Sequence, residues 1–438
     1  MKYLSTRQDS GDSNSVALED AIMSGTAPDG GLFIPTELPS YKPEDFDGIT
    51  DINKLAAKML QPFFAGSSLE NLLGEICDEA FTFDAPVRML QEGGDAPLSV
   101  LELFHGPTAA FKDFGARFLA SCMTRIAAQR HLSSPLTVLV ATSGDTGGAV
   151  AAAFHGKPGV RVIVLFPEGR VSARQQHQLT CWGDNITSLS VRGEFDDCQR
   201  IVKELFADRS LVERYNLCSA NSINVGRLLP QSVYYAQASL AHYRKTGKAT
   251  NFIIPTGNLG NAFACAWAKS MGFPIDRIIL ATNANRTIPD FLAKGDWEPR
   301  ASVATLASAM DVGNPSNMER LRKLWGEADQ LNSKLRSFSV TDEQIREQIL
   351  AEFQRDQIAW CPHTATAFYV YRHDLSDEER NAGHWSLVAT ADAAKFEDIV
   401  EPLVGVMLPI PVELDKLLKL PAAFDTVDSE SSAVAAYL

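Results

Sequence analysis

Three short segments carry side chains whose types and spacing could do chemistry. The first runs Glu102-Leu103-Phe104-His105-Gly106-Pro107-Thr108-Ala109-Ala110-Phe111-Lys112-Asp113-Phe114-Gly115-Ala116-Arg117. Gly106 and Pro107 end a strand-like run and a helix begins near Thr108, so Lys112 falls in its first turn or so, flanked by Phe111 and Phe114. Poor solvation among aromatic rings and the positive end of a helix dipole both lower a lysine pKa toward a nucleophilic amine. A solvated surface lysine is the plain alternative. The second segment, Ala141-Thr142-Ser143-Gly144-Asp145-Thr146-Gly147-Gly148, sits where a strand hands over to a helix. Its small and hydroxyl residues leave N–H groups open to an anion such as a carboxylate, or simply cap the helix. The third, Pro255-Thr256-Gly257-Asn258-Leu259-Gly260-Asn261, repeats that placement with two glycines, and successive amides at a helix start suit a phosphate.

A smaller cluster, Asn221-Ser222-Ile223-Asn224-Val225-Gly226-Arg227, suits anion recognition or a helix cap with an exposed arginine. The glycines match neither G-x-G-x-x-G nor G-x-x-x-x-G-K-[ST], which weakens dinucleotide and nucleoside triphosphate readings. No H-E-x-x-H or convincing histidine pair is present, so no catalytic metal is expected. A serine hydrolase elbow, G-x-S-x-G, is absent as well.

The chain of 438 residues, 45% hydrophobic and 21% charged, has the composition of a globular protein with two or three domains. Its net charge of -14 is spread along the chain and disfavours nucleic acid and anionic membranes as partners. An anionic substrate then needs a local pocket of Arg, Lys and backbone N–H groups. Seven cysteines without a C-x-x-C pair read as buried thiols of a reduced compartment. Without a signal pattern or a membrane span, a cytoplasmic location is expected.

The elements that must position these segments alternate. Strand-like runs at Leu136–Thr142, Val160–Phe166 and Ile186–Val191 are each followed by helical pattern, at Ala149–Phe154, Val171–Trp182 and Phe195–Tyr215. After a long helix from Gly226 to Lys245 the alternation resumes at Asn251–Thr256, Ala262–Met271 and Arg277–Thr282. This is the pattern of βαβ units and parallel sheets. Helical stretches at Thr341–Arg355 and Thr364–His373 and a strand at Ser386–Thr390 come next. Turn-rich stretches at Ala27–Gly31 and Gln91–Pro97 bracket mainly helical pattern, which marks an N-terminal subdomain. We expect an α/β protein divided at 1–98, 99–225 and 226–438, with an acidic, poorly packed tail.

Taken together and in order, His105-Gly106-Pro107-Thr108…Phe111-Lys112-Asp113-Phe114, Ser143-Gly144-Asp145-Thr146-Gly147 and Gly257-Asn258-Leu259-Gly260-Asn261 resemble threonine synthases of the short bacterial and fungal type. Tyr3…Ser5-Thr6-Arg7, Ala27-Pro28-Asp29-Gly30-Gly31-Leu32-Phe33, Asn221-Ser222-Ile223-Asn224, Asp311…Pro315-Ser316-Asn317 and Pro362-His363-Thr364-Ala365 extend the likeness over nearly the whole chain. The resemblance implies a fold type II pyridoxal phosphate enzyme, with the cofactor between two α/β domains of twisted, largely parallel sheets. It implies conversion of O-phospho-L-homoserine and water to L-threonine and phosphate, in a monomer or a homodimer. Lys112 would be the Schiff-base lysine and the base for the substrate Cα proton. Gly257, Asn258, Leu259, Gly260 and Asn261 would hold the cofactor phosphate, with Thr390 at the pyridine nitrogen and Asp145 near the 3′ oxygen. Ser143, Gly144 and Thr146 would grip the substrate carboxylate, and Asn221, Ser222 and Arg227 its phosphate. Two departures stand out. Asp145 replaces the Asn of many S-G-N-T-G loops, so it would be protonated or would raise the pKa of the Schiff base. Asp392 and Ala393 stand where the family leads one to expect His and Pro. The competing readings are a serine or threonine dehydratase of the same fold and a non-catalytic protein that keeps the fold as a binding site.

Overall fold

The strands that precede the candidate segments are apolar and β-branched, and they build two sheets buried on both faces. The computed structural model describes all residues except 9–13, 92–96 and 133. The smaller sheet has the order Asp425–Asp428, Ile186–Arg192, Val160–Pro167, Leu136–Ala141, Leu217–Cys218, and every pair is parallel. The larger sheet has the order Leu335–Ser339, Ile275–Thr282, Thr250–Pro255, His384–Ala389, Leu98–Glu102, Val87–Gln91. Only its last pair is antiparallel. Parallel pairing requires crossover connections, so helices cover the faces and inner strands such as Leu136–Ala141 and His384–Ala389 are buried along their length, while the edge strands Asp425–Asp428 and Leu335–Ser339 are partly exposed.

The central packing element is the helix Val225–Thr246. Asn224 caps it by accepting from the Gly226 N–H at 3.0 Å, and apolar or small residues occupy most of its circumference, as expected of a fully enclosed helix. The sequence pattern suggests that Tyr234, Tyr235, Ala238 and Tyr243 face a core; the first three are buried, whereas Tyr243, near the helix end, is only partly covered. It packs against helices Lys112–Arg130 and Gly260–Ser270. The N-terminal helices Ile52–Phe64 and Leu73–Ala80 join the same core through Phe63, Phe64 and Phe81. The Ala27–Gly31 turn is present, closed by the Ala27 N–H donating to the Gly31 carbonyl at 2.9 Å. The turn expected at Gln91–Pro97 lies mostly outside the described residues.

Three expectations are corrected. The sheets do not respect the divisions at 98/99 and 225/226, because Leu98–Glu102 pairs with His384–Ala389 and Asp425–Asp428 pairs with Ile186–Arg192. Strand pairing between distant segments leaves no trace in local periodicity. The tail is packed: Val427 and Val434 are buried against the smaller sheet with Leu189 and Ile201. The helical pattern at Phe195–Tyr215 is two helices, Phe195–Ala207 and Arg209–Tyr215, since Asp208 leaves the helical conformation to cap the second.

All three segments, and Thr390 with them, follow carboxyl ends of parallel strands: Glu102 leads to the Lys112 segment, Ala141 to Thr142, Pro255 to Thr256 and Ala389 to Thr390. Crevices at those ends are where open parallel sheets accept ligands. No helix is long and apolar enough to cross a membrane among the described residues. All seven cysteines are buried and free.

Candidate active site

Lys112 is the first residue of its helix, and the turn before it is tightly specified. Asp113 turns back to accept from the Thr108 N–H at 2.8 Å and the Thr108 hydroxyl at 2.7 Å. Gly106 leaves room for that carboxylate, since a Cβ there would lie 2.5 Å from Asp113 Oδ2. The Phe111 N–H donates to the Thr390 carbonyl at 2.8 Å, and the Asp392 N–H to the Ala109 carbonyl at 3.0 Å. These bonds fix the helix start against the strand exit that carries Thr390.

Lys112 opens into a cavity of about 490 Å³, walled by residues from both sheets. Ser143, Asp145, Thr146, Asn221, Ser222, Arg227, Gly257, Asn258, Leu259, Gly260, Asn261 and Thr390 all lie on its wall. Gly144 does not; it stands behind the loop at φ +135°, with the Gln175 side chain filling the place a Cβ would take. Burial lowers the Lys112 pKa to about 8, opposed by Asp145 and reinforced by Arg227 and Lys395. A fraction of the amine is therefore unprotonated near neutral pH.

The Gly257–Asn261 turn is shaped by two backbone constraints. A Cβ on Gly257 would sit 2.6 Å from Met310 Cα, and Leu259 takes a left-handed conformation at φ +62°. A non-glycine residue held there costs about 1 kcal/mol or more and persists only where the surroundings enforce it. Asn261 Oδ1 accepts from the Tyr234 hydroxyl at 2.5 Å and the Tyr235 hydroxyl at 2.9 Å, and its Nδ2 is left without a partner among the described residues. Three further buried polar atoms of wall residues are likewise unpaired: Asn221 Oδ1, Arg227 Nε and His363 Nδ1. Buried unpaired polar atoms are rare and costly, so their gathering in one cavity calls for polar guests. Arg227 is buried with no carboxylate hydrogen-bonded to it; Nη1 donates to the Ala220 carbonyl at 2.6 Å, and burial brings the guanidinium pKa down to about 10.

The state of Asp145 is settled by a residue the sequence reading passed over. Lys395 Nζ lies 2.7 Å from Asp145 Oδ1, with both side chains buried, and Gln175 donates to the same oxygen at 3.0 Å. Burial pushes the carboxyl up, but Lys395, Lys112 and His363 outweigh it and hold Asp145 well below the usual carboxylate range. It is ionised. Lys395 stands within the Thr390–Phe396 segment already noted for its departures, and His363 within Pro362–Ala365, so both were in view without a role. Asp392, where the family leads one to expect histidine, caps the turn Ala393–Phe396 by accepting from the Ala394 N–H at 2.8 Å. Asn317, too, is named in the sequence reading without a role, and Arg320 is missed there. Asn317 Nδ2 donates to the Asn258 carbonyl at 2.9 Å, and Arg320 donates to Asn317 Oδ1 at 2.6 Å and the Ile223 carbonyl at 2.6 Å, which ties the two anion-seeking segments together.

Residues 88–389 match the family model for pyridoxal-phosphate dependent enzymes, and residues 2–81 match the model for the threonine synthase N terminus. Threonine synthase of Escherichia coli strain K12 is 37% identical over 427 residues, 96% of this chain and 95% of that protein. The chain belongs to the threonine synthase family. The solved structure of threonine synthase from Escherichia coli superposes with a TM-score of 0.90 at 36% identity, covering 100% of this chain and 99% of the other. A threonine synthase from Brucella melitensis, solved with pyridoxal phosphate bound, superposes with a TM-score of 0.88 at 34% identity, covering 100% and 98%. Maize serine racemase, at 15% identity and a TM-score of 0.55, shares the fold. The family's cofactor is pyridoxal phosphate, and the cavity fits it: an amine for its aldehyde, a glycine-bearing turn at a helix start for its phosphate, and unpaired polar atoms on the wall. This is a pyridoxal-phosphate-dependent lyase of the threonine synthase family.

Proposed function

We propose that the chain converts O-phospho-L-homoserine and water into L-threonine and phosphate, with Lys112 as cofactor-binding lysine and proton carrier. Pyridoxal phosphate, when bound, supplies an electron sink that acidifies the substrate's Cα–H and Cβ–H bonds. The Gly257–Asn261 turn would hold the cofactor phosphate with its amides and with Asn261 Nδ2, and Thr390 would serve the pyridine nitrogen. Asp145, ionised, lies in the neighbourhood of the 3′ oxygen. Ser143 and Thr146 bind the substrate carboxylate: the Thr146 N–H at the start of helix Asp145–Phe154 and the hydroxyls of Ser143 and Thr146 offer donors, while Gly144, off the wall with its N–H donating to the Thr142 hydroxyl, only gives the loop its turn.

Lys112, whose amine burial holds at a lowered pKa, is the group placed to take the substrate's Cα proton as a general base. Asn221, Ser222 and Arg227 hold the γ-phosphate and stabilise it as it leaves. Lys112 and the departing phosphate are the candidates for the later proton transfers at Cβ and Cγ. The enclosing wall limits stray water until water is needed at Cβ.

The observation that carries this reading is Arg227: a buried guanidinium with an Nε unpaired among the described residues, on the same cavity wall as the Ser143–Thr146 loop to which this reading gives the carboxylate. A dehydratase acting on serine or threonine has no second anion to place there. Phosphate release from O-phosphohomoserine, assayed beside ammonia release from serine and threonine, tests it. Release of ammonia alone would replace this reading with the dehydratase.

A further inference from the structure

Lys395 is a buried cation to which the reaction above assigns no part. It lies in the turn Ala393–Phe396, and its side chain is withdrawn from solvent. Its ammonium meets two acceptors, Asp145 Oδ1 at 2.7 Å and the Thr108 carbonyl at 2.7 Å. Thr108 opens the turn that delivers Lys112, and Asp145 opens the helix that follows Ser143. Both acceptors are fixed from another side as well, Thr108 by Gln178 at 3.1 Å and Asp145 by Gln175 at 3.0 Å. The Ser172 hydroxyl donates to the Lys395 carbonyl at 2.9 Å and anchors the backbone of the turn. One side chain therefore joins the Lys112 segment, the Ser143–Thr146 loop and the segment that carries Thr390.

The charges explain why a cation sits there. Asp145 is faced by Lys395 from its turn, by Lys112 from its helix, and by His363 and Cys361 from helix Pro362–Tyr369 and its cap. Lys395 is faced in turn by Asp113 and Asp392 as well as Asp145. Burial keeps His363 neutral near pH 7, so Lys395 is the one cation facing Asp145, among the described residues, that takes no part in the chemistry. A buried ion pair of this kind is weak evidence for stability, since apolar replacement is often neutral or stabilising. Its value lies in fixing a charge.

We propose that Lys395 is a positioning residue, which keeps Asp145 ionised and in place beside Lys112 while the proton on the Lys112 nitrogen comes and goes. The inference rests on the placement of Lys112 and Asp145 next to the cofactor, and not on the identity of the substrate. Without Lys395 the burial of Asp145 is opposed only by groups that themselves titrate, and its carboxyl takes up a proton at a higher pH.

The test is the pH titration of the visible cofactor band in the loaded protein, for wild type, Lys395→Arg, Lys395→Met, Asp145→Asn and the Asp145→Asn/Lys395→Met double variant. Lys395→Arg should keep the wild-type profile. Lys395→Met should move the acid-side midpoint up by about one pH unit or more and lower kcat at least about tenfold, with KM within about threefold. In the Asp145→Asn background, Lys395→Met should change nothing further. An unmoved midpoint in Lys395→Met, or effects that simply add to those of Asp145→Asn, would overturn the proposal. If Lys395→Met does not fold, the double variant decides: folding with the Asp145→Asn band profile supports the assignment, and a different profile refutes it. The titration needs no substrate, so a protein with a normal band that releases no phosphate refutes the substrate alone and leaves this test intact.

Discussion

Replacing Arg227 with methionine should weaken substrate binding and stabilise the empty protein. Among the described residues no carboxylate is hydrogen-bonded to the guanidinium, and burial, only partly opposed by the charge of Asp113, brings its pKa from the ordinary 12.5 down to about 10. That depression corresponds to about 3 kcal/mol of unfavourable burial, which Arg227→Met removes. Loss of the bond from Nη1 to the Ala220 carbonyl returns about 1 kcal/mol of this, and imperfect filling of the site returns some more. The net gain for the protein free of cofactor and phosphate is about 1–2 kcal/mol, read as a rise of about 1–4 °C in Tm. With substrate the sign reverses. One or two charge-assisted bonds to the phosphate, at about 1.5–3 kcal/mol each, are lost, about 1.5–6 kcal/mol together, so KM for O-phosphohomoserine should rise at least about tenfold and by up to about four orders of magnitude. Thermal shift with and without inorganic phosphate, together with steady-state kinetics, reads both effects. A variant with unchanged KM, or one whose Tm still climbs with phosphate as the wild type does, refutes the assignment of Arg227 to the phosphate.

Gly257→Ala should cut affinity for pyridoxal phosphate at least about tenfold, because the new Cβ would stand 2.6 Å from Met310 Cα and the turn has to move; titration of the visible band measures it. Asn261→Leu should weaken the cofactor in the same assay by about 1–3 kcal/mol, since the Tyr234 and Tyr235 hydroxyls lose their acceptor as Nδ2 is lost. Acid should destabilise the fold through His384, which accounts for the sharpest histidine shift. Burial and then the neighbouring His242 lower its pKa to about 3, so the unfolded chain binds the extra proton. Its contribution is full above the ordinary histidine pKa of about 6.5 and is lost as pH falls toward 3, about 2 kcal/mol of it between pH 7 and 5. Urea unfolding at those two pH values, in wild type and His384→Gln, should show that difference shrink in the variant.

The segments proposed to do chemistry stand out because backbone constraints write themselves into sequence. Gly257 and the small residues of Ser143–Gly147 mark places where a strand passes into a helix with little room for side chains, and Lys112 is framed by the Gly106-Pro107 break before it. The βαβ alternation is legible as two largely parallel sheets for the same reason. Pairing was not legible. Leu98–Glu102 and Asp425–Asp428 each join a sheet whose other strands lie far along the chain, and no local period records that. The tail reads as acidic and loose because its apolar residues are few, yet Val427 and Val434 suffice to seat it on the smaller sheet. Lys395 and His363 carry no role in the sequence reading, and Arg320 escapes it, for a related reason. A buried charge is recognised by its partners, and the partners of Lys395 are Thr108 and Asp145, both distant in sequence. Helix patterning was also too coarse to find the break at Asp208, where a single carboxylate cap competes with helix continuation.

The most direct measurement is the near-ultraviolet and visible spectrum of the purified, cofactor-loaded protein before and after O-phosphohomoserine, with phosphate and threonine both quantified and Lys112→Ala as control. A visible band that shifts with substrate, with phosphate and threonine formed in equal amounts and only when Lys112 is present, is the expected result. A loaded protein whose band ignores O-phosphohomoserine, or Lys112→Ala that still forms threonine at the wild-type rate, would contradict it.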